Sequence, residues 1–207
     1  IDSPVAGYMI AKRGVTVDCI HFETPPYTSA QARQKVFDLA AIMAGYCGPI
    51  RLHIVPFTEI QQKLYEDGPP VLLTILMRRF MMRIAGRLAN KRRCGALVTG
   101  ENLGQVASQT MDSLHVTNAV TDIPVFRPLI GFDKSEIVDR ARQIGTYETS
   151  ILPYDDCCSV FVPRHPATRP KLHEVEAAEA ALDVDALVEA ALSGVQTQEI
   201  RPQENEW

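Results

Sequence analysis

The sequence predicts an α/β domain with a mostly parallel sheet, and three observations carry that reading. Short apolar, β-branched runs at 15–22, 51–55 and 95–100 alternate with stretches of helical period. A length of 207 residues with 46% apolar, 22% charged and 7% aromatic content suits one globular domain of ordinary size. Charges interrupt the longest apolar stretches well before the roughly 18 residues of a membrane helix, and no basic start with an apolar run marks a leader. A cytoplasmic address is the expectation that follows.

Each element has a local cause. Ile1-Asp2-Ser3-Pro4 offers Asp2 or Ser3 as a helix cap and Pro4 for the first turn, and Lys12-Arg13-Gly14 closes that helix. Val15 to Phe22 reads as a strand. Thr28 to about Tyr46 reads as a helix with Val36, Leu39, Ala40 and Met43 inward, followed by a strand at Arg51–Val55. Gly68-Pro69-Pro70 breaks the chain before a long helix from about Val71 to Ala89, along which Arg79, Arg83 and Arg87 recur every fourth residue beside Arg78. Gly95 to Gly100 reads as a candidate short buried strand, and Asp133-Lys134-Ser135-Glu136 has the form of a capping box for a helix ended by Gly145. Four prolines and Cys157-Cys158 mark 146–170 as an ordered loop, ahead of two Ala/Glu/Leu helices at about 171–182 and 184–193. Nothing is assigned between Pro56 and Gly68.

The usual α/β unit is strand, tight turn, helix, so a sequence that opens on a helix is expected to continue a strand and binding loop lying upstream. A helix start of this kind offers unpaired N–H groups and partial positive charge, which suit nucleotide phosphates; plain capping by Asp2 is the alternative. A second segment points the same way. Val98-Thr99-Gly100-Glu101-Asn102-Leu103-Gly104-Gln105-Val106-Ala107-Ser108-Gln109-Thr110 leaves a strand on two glycines and presents polar side chains where a parallel strand's carboxyl end would face a crevice.

These residues carry a resemblance. Ile1-Asp2-Ser3-Pro4-Val5-Ala6 is similar to the tail of the Ser-Gly-Gly-x-Asp-Ser loop of N-type ATP pyrophosphatases. Within that superfamily, Thr99 to Thr110, His21-Phe22-x-x-Pro-Pro-Tyr27 and Met77-Arg78-Arg79-Phe80-Met81 resemble the tRNA 4-thiouridine synthetase family, also called the thiamine-biosynthesis sulfurtransferases. The likeness runs from residue 1 to about 175 and is most specific over Thr99–Thr110. It implies a doubly wound parallel sheet of the adenine nucleotide alpha hydrolase (PP-loop) type over 1–175, lacking its first strand and the start of its loop, with C-terminal helices and a tail over 176–207. No Gly-x-x-x-x-Gly-Lys-Ser/Thr, Gly-x-Gly-x-x-Gly or Gly-x-Ser-x-Gly motif is present.

The resemblance also implies a reaction: ATP and Mg²⁺ adenylate O4 of uridine 8 in tRNA with loss of pyrophosphate, and persulfide sulfur from a cysteine desulfurase then displaces AMP. Sulfur for the thiamine thiazole is a second outlet, and a homodimer is an assembly to test. By the same likeness, Asp2 orients the loop or the metal and Ser3 donates to phosphate. His21 and Phe22 meet adenine, and Arg78, Gly100 and Gln109 contact the nucleotide. For His21 and Phe22 the alternative is a strand-end histidine beside a core phenylalanine. For Gln109 it is a polar residue on an exposed turn. For Arg78 it is a solvated helix face, a reading that suits Arg83 and Arg87 better, with tRNA phosphates as their other partner.

The net charge of −4, from 21 basic and 25 acidic residues, provides no global field for a polyanion, so any polyanion must meet a local patch; the resemblance implies that tRNA is gripped mainly by a region amino-terminal to this chain. Displacing AMP needs an accessible thiolate or persulfide. Of five cysteines, Cys19, Cys47 and Cys94 fall in or beside core elements, with no C-x-x-C pair. Cys157 and Cys158 fall in the proline-rich loop where the family carries its sulfur, and Cys158 aligns better. Asp155 and Asp156 would raise a neighbouring thiol's pKa unless Arg164, His165 or Arg169 offsets them. Two readings compete with sulfur transfer: an ammonia-using adenylating synthetase of the NAD⁺ or GMP synthetase group, and a non-catalytic ATP-binding sensor.

Overall fold

A computed structural model describes residues 1–154 and 166–202. Among these the chain forms nine α-helices and five strands in the alternating order expected of an α/β domain. Helix α1 (Asp2–Ala11) leads to strand β1 (Cys19–Glu23), then α2 (Ala30–Cys47), β2 (Ile50–Pro56) and α3 (Thr58–Asp67). The long α4 (Leu73–Arg92), entered through a 3-10 turn at Pro70–Leu72, precedes β3 (Leu97–Val98), α5 (Met111–Asn118) and β4 (Val125–Phe126). The chain continues through α6 (Lys134–Gln143), α7 (Tyr147–Ser150), α8 (Leu172–Glu179) and α9 (Val184–Ser193) to β5 (Gln196–Ile200).

The described strands form two sets. β1 and β2 pair in parallel, with Cys19 opposite Leu52 and Phe22 opposite Val55, and β5 adds antiparallel on the other edge of β2. β3 and β4 make a separate parallel pair. Helices cover both faces, as buried parallel strands require. Val55 of β2 joins Phe57, Ile60, Leu64, Leu76, Phe80 and Val188 in a cluster shared by α3, α4 and α9, while Leu52 and Ile54 pack with Ala40 of α2. Val5 and Ala6 of α1 meet Met43, Ala44, Leu129, Ile137 and Ala141 in a third cluster with α2 and α6.

Several local expectations change. The first strand starts at Cys19 rather than Val15, because Val15 is half exposed and Asp18 spends its carboxylate on Arg51 and His53. Helix α3 occupies the unassigned stretch; its inward face is only Ile60, Gln61 and Leu64, too short a stripe to stand out in sequence. Residues 196–200 are a strand rather than a free tail. Only Ile200 of that strand is buried, so the edge shows no apolar alternation. The capping box is formed as expected: Asp133 caps α6, Glu136 reaches back to the Asp133 N–H at 2.7 Å, and Gly145 takes the left-handed φ of +73° that ends the helix run. None of the described helices is long and apolar enough to cross a membrane.

Along the arginine stripe of α4, Arg79 and Arg83 are neither a solvated face nor a free polyanion contact, while Arg87 lies on the solvated side as expected. Arg79, 2% exposed, donates to both oxygens of Glu179 on α8 at 2.9 and 2.7 Å and to the Val116 carbonyl at 2.7 Å. Arg83 donates to the same two oxygens at 2.6 and 2.7 Å, and Arg87 pairs with Asp185 and Glu189 of α9. Three turns of one helix thus form an ion-pair seam that fastens the last two helices.

Candidate functional site

The site is assembled where α1 begins. Its N-cap is Ile1, with no side-chain cap hydrogen bond, so the capping role expected of Asp2 or Ser3 is not taken up. Asp2 instead reaches across the chain: Lys134 Nζ lies 2.7 Å from Oδ1, and Gln105 Nε2 donates to Oδ2 at 3.2 Å. Among the described residues no side chain caps the first turn of α1, and open N–H groups of that kind are what makes a helix start attractive to anions. Ser3 is exposed, and its hydroxyl makes no hydrogen bond among the described residues.

Gly100 explains how the second segment comes so close. A Cβ built on it would lie 2.8 Å from both the Asp2 carbonyl carbon and the Ser3 nitrogen, contacts no side chain tolerates. Glycine is required here by close approach of two backbones. The chain beyond it is held by a dense set of hydrogen bonds. Asn102 donates from its backbone to Gln109 Oε1 at 3.0 Å, and its side-chain amide donates to the carbonyls of Leu129 and Phe132. Gly104, at φ +75°, donates to the Gln109 carbonyl at 3.0 Å. Gln109 is thus buried and internally engaged, not a polar residue on an exposed turn.

Arg78 faces the same loop. Its Nη1 donates to the Ser108 carbonyl at 3.1 Å and lies 3.3 Å from Glu101 Oε1. Phe22 packs edge-on against Phe57 with ring centroids 5.4 Å apart and leans on the core of α3 and α4, which favours the core-phenylalanine alternative for its ring. His21 sits beside it, partly buried and in register with Ile54. The structure therefore brings Asp2, Ser3, Gly100, Gln109 and Arg78 around one loop. Sequence reasoning missed Lys134, seen only as part of the capping box, and Gln105 and Glu101, which lay inside the quoted block without a role. The missing signal is long-range: Lys134 and Asp2 are 132 positions apart.

Of the cysteines, Cys157 and Cys158 lie outside the described residues, as do Asp155, Asp156, Arg164 and His165. Burial, then Cys47 and Asp18 nearby, push the Cys19 thiol up to about 12. Burial likewise raises Cys47 and Cys94. A high pKa keeps a thiol protonated and unreactive, in keeping with the packing role expected of these three.

Residues 1–184 match the family described as "Thiamine biosynthesis protein (ThiI)". This chain belongs to the ThiI family. ThiI relatives include a probable tRNA sulfurtransferase of Acetivibrio thermocellus, 59% identical over 196 residues, covering 95% of this chain and 50% of the relative. Another, of Lachnoclostridium phytofermentans, is 58% identical over 194 residues, covering 93% of this chain and 50% of the relative. A solved structure described as "Crystal structure of a 4-thiouridine synthetase - RNA complex with bound ATP" superposes with a TM-score of 0.92 at 43% identity, covering 97% of this chain and 53% of that one. The chain spans about half the length of the ThiI relatives it matches.

Proposed function

We propose that this chain is the ATP-using catalytic region of a tRNA sulfurtransferase with the doubly wound PP-loop fold, which adenylates a uridine of tRNA and then replaces AMP by sulfur. The observation that carries the reading is the backbone contact of Gly100 with the start of α1, in a chain 43% identical to a synthetase solved with RNA and ATP. Attack of the uridine O4 on the α-phosphorus expels pyrophosphate, so negative charge grows on the leaving phosphates. Stabilising that charge is where binding energy lowers the barrier. The first-turn amides of α1, the Ser3 hydroxyl, Lys134 and Arg78 are the donors available for it. His21 and the backbone of Phe22, whose ring is spent on Phe57, are assigned to the adenine, and Gln109 to the shape of the loop that closes on the nucleotide.

Mg²⁺ typically keeps water and phosphate ligands and takes only one or two carboxylates. Asp2 fits that need, and the described residues contain no cluster of three or more ligating side chains that would form a protein-only cage. Asp2 would hold the metal, which would supply charge neutralisation on the phosphates, and Lys134, a cation and no ligand, would meet the phosphates beside it.

Sulfur transfer is assigned to Cys158, with Cys157 as its neighbour, and a cysteine desulfurase as donor of the persulfide. The outer sulfur of the Cys158 persulfide attacks C4 of the adenylated uridine and AMP leaves; a second thiol then attacks the Cys158 sulfur, breaking the S–S bond, releasing 4-thiouridine and leaving a disulfide that an external dithiol reduces before the next turnover. The test combines the protein with ATP, Mg²⁺, unmodified tRNA, a cysteine desulfurase and cysteine. The expected result is pyrophosphate, 4-thiouridine absorbance and a gain of about 32 Da, one sulfur atom, on Cys158 or Cys157. Pyrophosphate without sulfur on protein or tRNA would turn the reading to an ammonia-using synthetase, and ATP binding without pyrophosphate to a sensor.

A further inference from the structure

Glu101 is a carboxylate only 7% exposed beside the proposed ATP site, and the reaction above gives it no task. Burying a carboxylate is costly unless it is paired, and here it is paired more than once. Oε2 accepts from Arg127 Nε at 2.7 Å and from the Thr99 hydroxyl at 2.9 Å, while Oε1 faces Arg78 Nη1 at 3.3 Å. Arg127 is fixed in turn, both of its terminal nitrogens donating to Asn118 Oδ1 at 3.3 Å from the end of α5. Two guanidinium charges on one carboxylate leave the cluster net positive.

Arg78 is the member with slack. Its Nη1 is engaged by Glu101 and the Ser108 carbonyl, while its Nε and Nη2 make no hydrogen bond among the described residues. Its side chain is also the more exposed of the two arginines, 22% against 16%. A carboxylate next to an anion site is ordinarily repulsive, but the charge of Glu101 is compensated by Arg127. We propose that Glu101 is a positioning residue of the nucleotide site: braced by Arg127 and Thr99, it holds Nη1 of Arg78 so that Nε and Nη2 meet the triphosphate. Arg127 then acts as the brace, with no contact of its own to the nucleotide. The inference rests on the ATP-site reading above.

The test is calorimetric titration of ATP into the protein and its Glu101→Gln, Glu101→Asp, Arg78→Ala and Glu101→Gln/Arg78→Ala variants, with urea denaturation alongside to verify folding. Glu101→Gln is expected to weaken ATP binding about tenfold, the size of one charged hydrogen bond. Glu101→Asp should recover most of that, and the double variant should bind no worse than Arg78→Ala alone. Additive losses, or a Glu101→Gln variant with unchanged affinity beside a weakened Arg78→Ala, would overturn the positioning role and leave the ATP site standing. Unchanged affinity in Arg78→Ala would remove Arg78 from the nucleotide site and the inference with it. If Glu101→Gln does not fold, Glu101→Asp completes the same cycle: its small loss should vanish in the Arg78→Ala background, and a persisting loss refutes the proposal.

Discussion

An added Cβ at Gly100 would meet the backbone of Asp2 and Ser3 at 2.8 Å, and backbone atoms do not swing aside as a side chain would. Gly100→Ala is therefore expected to cost about 1–3 kcal/mol of stability, the usual range for overpacking, and to weaken ATP binding by separating the loop from α1. Urea denaturation and calorimetry read the two effects, and unchanged values in both would mean that loop and helix do not touch in solution. At this scale much of the site was legible. The Thr99–Thr110 block carries its own chemistry in residue types and glycine spacing. What stayed hidden is how its polar side chains are spent. Gln109 Oε1 accepts from Asn102 and Gln105 Nε2 from the block donates to Asp2, pairings fixed by a fold the sequence does not display.

Helix α4 binds α8 and α9 by charge as well as by apolar contact. Removing Glu179 would strand two guanidinium groups, of which Arg79 is almost fully buried, and breaking a buried pair from one side costs about 3–5 kcal/mol. Glu179→Ala should show a loss of that order in chemical denaturation; a loss under about 1 kcal/mol, the worth of a surface pair, would show the seam to be solvent-screened. Burial opposes ionisation of Glu179, yet the hydrogen bonds from Arg83 and Arg79 outweigh it and hold its carboxyl below the ordinary value. With a lowered folded value, its contribution is complete above the unfolded value of about 4.3 and disappears as pH falls through the folded one. The native protein should lose stability over that acid window, and the Ala variant should show a flatter curve there. The four-residue arginine spacing was plain in sequence, but its partners were not, because Glu179, Asp185 and Glu189 sit about a hundred positions later on helices whose packing no local pattern specifies.

Across the whole molecule, β5 ties the last stretch of chain to the central strand. Thr197 Oγ1 lies 2.8 Å from Nδ1 of His53 on β2, whose other ring nitrogen faces Asp18 at 3.5 Å. Burial lowers the His53 pKa, against the opposing pull of Asp18. The folded ring thus stays neutral where an unfolded one would take a proton. Its contribution is full above about pH 6.5 and is lost as pH falls toward the folded value. Stability should therefore decline in two steps on acidification, His53 first and Glu179 later. Replacing His53 by Gln should remove the first step from a pH series of denaturation midpoints; a step that survives belongs to another group. The alternation of strands and helices, α1, α4 and the capped α6 were all readable, because each repeats a local rule several times. α3 and β5 were not, since each shows the core only a few residues. The most strongly raised thiol has a practical consequence for protein chemists. Cys19, whose thiol is pushed up to about 12, stays protonated near neutral pH and is a poor target for alkylating reagents, so a rapid iodoacetamide footprint on the wild-type chain should leave Cys19 unmodified.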